Sequence, residues 1–429
     1  MPIMEEGGSQ MMKHFQPKLI ALLLILIMVT VSACSPGHPS GTSNHADSGE
    51  NKETLYIGAL FPRSGNLAPL GIESFRGAEL ARLEQNQAGG LLGKTVAFKE
   101  ADAPSPNAAQ AEADRLINKE KITAILGSYS SSISMAASQV AEKNRVIYWE
   151  GGAVSTAITS RGFKYVFRTQ PNDTMSSRDQ AQFVADELTK SLNKPIGDLK
   201  IMIVHEDSEF GTSGADRFKK AIQAVGAKAP PVYPYNAQAK DLTSIVLKIK
   251  DAQPDILFAV SYVTDGILLT RQMLENKVEV PVFLGAGAGY SLTDYAKALG
   301  NDKVEGNISF DVPQFTTNPK YTPGMDHFIE AYKKEYGEEP HSAHSLIHYW
   351  SAKLLFQTIE KAESVEPDKI REAVFTWDQP EGQSPTGWGI KFGEDGQNQR
   401  GNLFAHQWRD GKMIVVWPRA AALSEFTLE

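Results

Sequence analysis

At 429 residues the chain has room for two domains and an appendage, each with an ordinary core. Hydrophobic residues at 41% and charged ones at 22% are a globular balance, and the net charge of −8 argues against a nucleic-acid partner or a basic membrane-binding face. A single cysteine excludes an intrachain disulfide and any cysteine-rich zinc site.

In chain order, the first element is an apolar run. Lys13, His14 and Lys18 precede "LIALLLILIMVTV" at 19–31, followed by Ser32, Ala33 and Cys34. These thirteen residues are too few to span a bilayer, which takes roughly 20, but they suit the core of a secretory leader. The small residues before Cys34 resemble the lipobox of bacterial lipoproteins, with Val31 where leucine is usual. That resemblance implies a signal peptide over 1–34 and acylation of Cys34, the sole cysteine. The acidic stretch before Met11 fits no such leader and points to Met11 or Met12 as the start. Residues 35–52 are Pro, Gly, Ser and Asn without apolar periodicity, a composition that reads as a flexible tether.

From Leu55 onward, continuous apolar runs alternate with amphipathic stretches. The runs at 55–61, 122–127, 201–204, 255–260 and 280–285 read as strands buried on both faces. Between them Ala109, Ala113, Leu116 and Ile117 share a helical face, as do Phe218, Ala221, Ile222 and Val225, and Leu242, Ile245, Val246 and Ile249. This alternation means βαβ units and parallel sheets. The body is too long for one doubly wound sheet and suits two. No second linker divides it, so several short crossovers must join the lobes. Past Ile308 the spacing predicts helices over 323–336, 343–361 and 367–375. After them three antiparallel strands are expected, separated by a Gly-rich turn and by "RDGK".

Three motifs carry less than they suggest. "AGGLLGKT" at 88–95 lacks the first glycine of a phosphate-binding loop and precedes a strand instead of a helix. "GAGAGY" at 285–290 has Tyr290 where a dinucleotide fingerprint needs glycine. His341, His344 and His348 could share a helical face and hold zinc, but no acidic partner lies at a recognised spacing. A partly exposed helix start capped near Ser342 or Ser345 is the favoured reading. No metal or cofactor is therefore expected.

The stretch "GSYSSSIS" at 127–134 is different. It follows an apolar strand and opens a helix, an arrangement that gathers free backbone N–H groups at a positive dipole end. Hydroxyls of Ser130 and Ser131 would add donors for a ligand carboxylate or another small oxygen-bearing group. One strand later, "VIYWEGGAVSTAIT" at 146–159 repeats the geometry with Gly151 and Gly152. Ligands of open α/β sheets lie beyond the carboxyl ends of strands, so the two turns are read as one binding surface. No G-x-S-x-G elbow surrounds these serines, which leaves a serine hydrolase without support.

The runs at 57–81, the "GSYSSS" and "EGGAVSTAIT" turns, "FKYVFRTQPND" at 163–173 and "VHEDSEFGTSG" at 204–214 recur in this order in one family. Over 54–420 the chain resembles the type I extracytoplasmic solute-binding proteins of the leucine/isoleucine/valine branch, which serve ABC importers. The resemblance implies an α/β periplasmic-binding-protein type I fold: two Rossmann-like lobes, three crossovers and a cleft that closes on a small solute. It divides the body into lobe 1 at 53–170 and 309–385 and lobe 2 at 171–308 and 386–420. By position, Ser131 would bind a solute carboxylate with its hydroxyl and backbone, Ser130 standing where relatives can have cysteine, and Gly152, Ala153 and Val154 would offer backbone contacts. Phe210 and Tyr262 would be the second lobe's aromatics. Leu70 stands where relatives often carry an aromatic, and Tyr129 resembles a tyrosine of the amide- and urea-binding branch.

One departure bears on the solute. The family's ammonium-binding acid after the "VFLG" strand is replaced by Ala286, Gly287 and Ala288. An unpaired buried ammonium costs several kcal/mol, so the anchor has moved to Asp265 or Glu150, or the solute has no amine. Asp265 reads equally as a helix N-cap and Glu150 as an ion at the lobe interface. The resemblance thus implies no enzyme and no cofactor, but a monomeric receptor held to the membrane only by lipid. It would lie in a periplasm or on a cell's outer face and hand an amino acid, amide or carboxylate to permease and ATPase subunits. The alternative is an amide- or urea-type sensor for a membrane signalling partner.

Overall fold

The computed structural model describes residues 53–287 and 289–428. The leader, Cys34, the tether and Ala288 lie outside the described residues. Among the described residues no helix is long and apolar enough to cross a membrane.

The first sheet contains β1 (Thr54–Phe61), β2 (Thr95–Asp102), β3 (Ala124–Leu126), β4 (Ile147–Glu150) and β5 (Val166–Arg168), in the order β2-β1-β3-β4-β5. All its pairings are parallel. The second sheet contains β6 (Ile201–Glu206), β7 (Val232–Tyr235), β8 (Ile256–Val260), β9 (Val282–Ala286), β10 (Ile308–Asp311), β11 (Phe404–Arg409) and β12 (Lys412–Trp417). Its order is β12-β11-β10-β9-β8-β6-β7, parallel from β7 to β10 and antiparallel at β11 and β12. The two lobes therefore share one winding, β2-β1-β3-β4-β5 and β7-β6-β8-β9-β10. Each reverses its strand order once, between β1 and β3 and between β6 and β8, and ligands of such sheets bind at that reversal.

The apolar runs form strands because both sheet faces are covered. Ile57, Ala59 and Phe61 pack into one core of the first lobe, and Leu60, Ile125 and Tyr148 into the core on the other face. In the second lobe Ile203, Phe258 and Leu284 face one core, and Val204, Leu257 and Phe283 the opposite one. Each of the Ile, Leu, Val and Phe side chains among them contributes about 1.5–3 kcal/mol on burial. The helix His344–Ala362 is buried along most of its length against the helix Ala68–Gln87. Gly77 sits at that crossing, where a Cβ would stand 1.8 Å from the Ser345 carbonyl oxygen. Only glycine lets the helices approach so closely, and the approach fixes the start of the long helix beside the first lobe's strand ends.

The lobe boundaries differ from the expected ones. β10 pairs with β9, so Ser309, Phe310 and Asp311 belong to the second lobe and the middle crossover runs through 312–324. Residues 389–398 stay with the first lobe, where Ile390 and Phe392 lie in its core and Gln397 bridges to Arg168 beside β5, while Trp388 packs into the second lobe's core. The third crossover is 399–403, and the first is 169–172. The C-terminal strands also differ. β11 and β12 form a hairpin around Asp410 and Gly411, but the expected strand at 389–392 makes only isolated bridges to Gln379 and Asn398.

His406, in β11 opposite Ser309, gives the fold an acid-sensitive point. It is fully buried, Nδ1 lies 3.2 Å from the Ser309 carbonyl oxygen, and Nε2 has no partner. Burial pushes its pKa down to about 3. A histidine neutral in the fold but protonated in the unfolded chain lends stability above its ordinary pKa, near 6.5, that is lost as pH falls. His406→Gln should flatten the pH dependence of unfolding free energy between about pH 4 and 6 by roughly 1.4 kcal/mol per unit. Urea unfolding of both proteins at several pH values measures this, and parallel slopes would refute it.

Candidate functional site

The first lobe's contribution is organised by one carboxylate. β4 ends at Glu150, which is fully buried. Its Oε2 accepts from the backbone N–H of Ser128 at 3.1 Å and from the Ser134 hydroxyl; its Oε1 accepts from Gly152 N at 2.8 Å and Ala153 N at 2.7 Å. A carboxylate offers about four acceptor positions, so Glu150 is saturated. Burial pushes its pKa up, but four donors aimed at it leave a carboxyl proton nothing to bond. Glu150 thus ties the serine turn after β3 to the glycine turn after β4. It is neither a solute anchor nor an ion at the lobe interface, since its partners all lie within the first lobe. The same bonds occupy the Gly152 and Ala153 amides, so these are not the free donors expected from the sequence.

The serines bridge elements too. Ser130 stands at the N-cap of the helix Ser131–Lys143, and its Oγ accepts from Tyr262 OH of the second lobe at 3.2 Å. Ser131 Oγ accepts from Ser155 N at 3.2 Å, a second link between the two turns. The Tyr129 hydroxyl donates to the Leu67 carbonyl at 2.6 Å, leaving its ring edge-on to Tyr262 and His344.

The second lobe repeats the device. β6 ends at Glu206, which accepts from Ser208 N, Ser208 Oγ and Gly211 N at 2.6–2.7 Å and so shapes the turn that presents Phe210. The Phe210 and Tyr262 rings lie 5.0 Å apart. Gly287 follows β9 at φ +84°, and a Cβ there would come within 2.5 Å of Phe210 Cζ. At Gly287 itself a side chain is opposed by both the left-handed backbone and the aromatic ring.

These residues close on a cavity of about 30 Å³, roughly the share of one water in the liquid. From the first lobe and the crossover it is lined by Leu70, Tyr129, Gly152, Val154, Gln170 and His344, and from the second lobe by Phe210, Tyr262, Gly287 and Asp311. A second hollow of about 40 Å³ shares Val154, Gln170, Phe210, Gly287 and Asp311 with it. A surface hollow of about 570 Å³ between the helices Pro106–Asp114 and Ser131–Lys143 is larger but open, and it lies on the outer face of one lobe. Convergence of both lobes' strand ends makes the small cavity the candidate site.

Of the residues expected there, Ser130, Ser131, Ala153, Glu150 and Asp265 do not line it. Asp265 is the third residue of the helix Val263–Glu275, whose N-cap is Tyr262, so it is not the cap expected from the sequence. Its carboxyl accepts from Tyr235 OH at 2.8 Å within a cluster of Ser261 and Tyr290 hydroxyls, and burial pushes its pKa up to about 7. Gln170, His344 and Asp311 line the cavity unanticipated. The histidine trio is dispersed. His341 reaches Glu338, His344 faces the cleft, and His348 packs under the serine turn with Nε2 2.9 Å from the Ser128 carbonyl oxygen. The helix start is capped near Ser342, as expected: its Oγ accepts from His344 N at 3.2 Å. That start is buried, however, not partly exposed.

A family model described as periplasmic binding protein matches residues 54–412. The chain belongs to that family. Its members are extracytoplasmic proteins that bind solutes and do not transform them, and the fold is the family's type I form. A curated relative, "Leu/Ile/Val-binding protein homolog 8" of Brucella abortus (strain 2308), is 40% identical over 369 residues, 86% of this chain and 92% of that protein. Among solved structures, the branched-chain amino acid substrate-binding protein LivJ of Streptococcus pneumoniae, in complex with isoleucine, aligns at TM-score 0.72 and 22% identity, covering 86% of this chain and 99% of that one. A solute-binding protein from R. palustris in complex with 4-hydroxybenzoate aligns at TM-score 0.73 and 21% identity, covering 85% and 95%.

Proposed function

We propose that this protein is the substrate-binding component of an ABC importer. It is anchored by a lipid on Cys34 and works as a monomer, delivering a small polar solute of the amino-acid or amide class to permease and ATPase subunits. The observation that carries this reading is the cavity at the strand-order reversals, with residues of each lobe on its wall. Cross-lobe bonds support closure as the capture step: Tyr262 to Ser130, Ser155 Oγ to Glu209 at 2.7 Å and Asn66 to Gln238 at 2.8 Å. A solute that adds contacts only in the closed form shifts the balance toward it. The name of the Brucella relative favours branched-chain amino acids, while the 4-hydroxybenzoate complex keeps aromatic acids in view.

A thermal-shift screen against amino acids, short amides, urea and aromatic acids tests this. A solute bound only by the folded state should add about 2.7 kcal/mol at 100 times its dissociation constant. No stabilisation by any compound, with ester or amide turnover lost in Ser131→Ala, would replace binding by hydrolysis. Stabilisation without an uptake defect in a deletion strain would favour the sensor.

A further inference from the structure

Five buried carboxyls end strands or open helices around the cleft, and their bonding separates them. Asp173, which opens the helix Asp173–Phe183 and lines the larger of the two hollows, accepts from Thr156 N at 3.1 Å and from the Thr156 and Ser213 hydroxyls, with Arg217 Nε 3.9 Å away. Glu150 holds four donors and has no acceptor position left. Glu206 holds three, all in its own turn. Asp265 sits behind the wall against Tyr235. Asp311, at the end of β10, lines both hollows and accepts only from the Ser291 hydroxyl and from Val312 N at 2.8 Å. Each of its oxygens keeps a free acceptor position, and among the described residues no cation offsets its charge. Burial pushes its pKa up to about 6, so near neutral pH it is chiefly a carboxylate.

A second acceptor shares the place. Gln170, on the first crossover, is 2% exposed and lines both hollows; its Oε1 has no hydrogen-bond partner. His344, also on the wall, is held neutral, its pKa pushed down to about 3 by burial and by His348. The wall thus carries one uncompensated negative charge and one orphaned carbonyl, and no positive charge. An isolated buried charge is expensive unless paired, and a primary ammonium brings a charge with three N–H donors.

We propose that Asp311 and Gln170 form the nitrogen-recognising end of the cleft and that the solute carries a primary ammonium there. This rests on the solute-binding reading above. Register explains the placement. Phe310 pairs with Ala286, and Gly287 N donates to the Phe310 carbonyl at 3.1 Å, so Asp311 lies beside Gly287. Phe210 occupies the space a side chain at Gly287 would need, and the acid stands on the adjacent strand instead.

The experiment is calorimetric titration of the full-length exported protein in detergent. The probes are the standard L-amino acids and, for each binder, its deaminated carboxylate; for L-leucine that is 4-methylpentanoate. Wild type should bind an amino acid about 100-fold more tightly than its deaminated partner. Asp311→Asn, isosteric and still able to bond Ser291 and Val312, should weaken the amino acid about 100-fold and leave the deaminated partner within a few-fold. Gln170→Met, which leaves the carboxylate in place, should weaken the amino acid about 10-fold. Should Asp311→Asn fail to fold by circular dichroism, the Gln170→Met and deaminated-probe arms decide. Tight binding of amine-free carboxylates alone, or unchanged amino-acid affinity in Asp311→Asn, would overturn the inference while leaving solute binding intact. Stabilisation by no member of the wider solute screen would overturn both.

Discussion

Glu150→Gln should destabilise the protein by about 3 kcal/mol, and Glu150→Ala by more, with solute affinity falling alongside in both. Four donors converge on this carboxylate: three backbone N–H groups and one hydroxyl. A glutamine of the same shape keeps its oxygen toward Gly152 and Ala153 and turns its NH₂ toward Ser134, whose hydroxyl can rotate to accept; the Ser128 N–H is left buried against a donor, and every remaining bond loses its charged acceptor. Hydrogen bonds to a charged acceptor are worth about 1.5–3 kcal/mol each. Alanine orphans all four donors and opens a cavity as well. Glu150 is a positioning residue. Its release would unhook the turns that place Gly152 and Val154 on the cavity wall and Ser130 opposite Tyr262. Urea unfolding together with titration of an identified solute separates this role from direct contact. An unchanged unfolding midpoint with lost affinity would mean that Glu150 touches the solute.

The sheets were legible because parallel strands covered on both faces must be apolar throughout, and runs such as 55–61 and 201–204 became β1 and the start of β6. The crossovers were not. "ISFD" is too short to reveal which sheet it joins, and only its pairing with β9 assigns it to the second lobe. In the cleft, the aromatic and glycine positions carried a local signal, a strand end followed by a helix start. The polar specificity carried none. Asp311 is a single acid at the end of a four-residue strand, Gln170 a single amide on a crossover, and His344 one of three histidines that helical spacing groups on one face. Glu150 was visible as an acid at a strand's end, but its role depends on bonds to Ser128 and Ser134, which only the fold brings near.

Arg168→Met should lower stability by about 3–5 kcal/mol, since each acceptor left buried without a donor costs about 1–3 kcal/mol, a fall in melting temperature on the order of 5 °C for a body of this size. Arg168 ends β5 and is completely buried, without a carboxylate among its hydrogen-bond partners. Its Nε donates to Gln397 Oε1 at 2.6 Å, and its Nη1 to the carbonyls of Ala153 at 3.1 Å and Ser155 at 2.7 Å. Burial pushes its pKa down to about 10, which still leaves it charged near neutrality. The bonds join three things: the strand before the first crossover, the segment before the third, and the glycine turn on the cavity wall. Methionine fills much of the volume but leaves those acceptors buried without donors. Lysine keeps the charge on a single point and cannot reach all of them with a fork, so Arg168→Lys should fall between methionine and wild type. Because the staple sits where two crossovers leave the first lobe, its loss should also loosen closure and weaken solute binding beyond the change in melting. A methionine variant that melts within 1 °C of wild type would show that the carbonyls find other donors and that the hinge does not depend on this side chain.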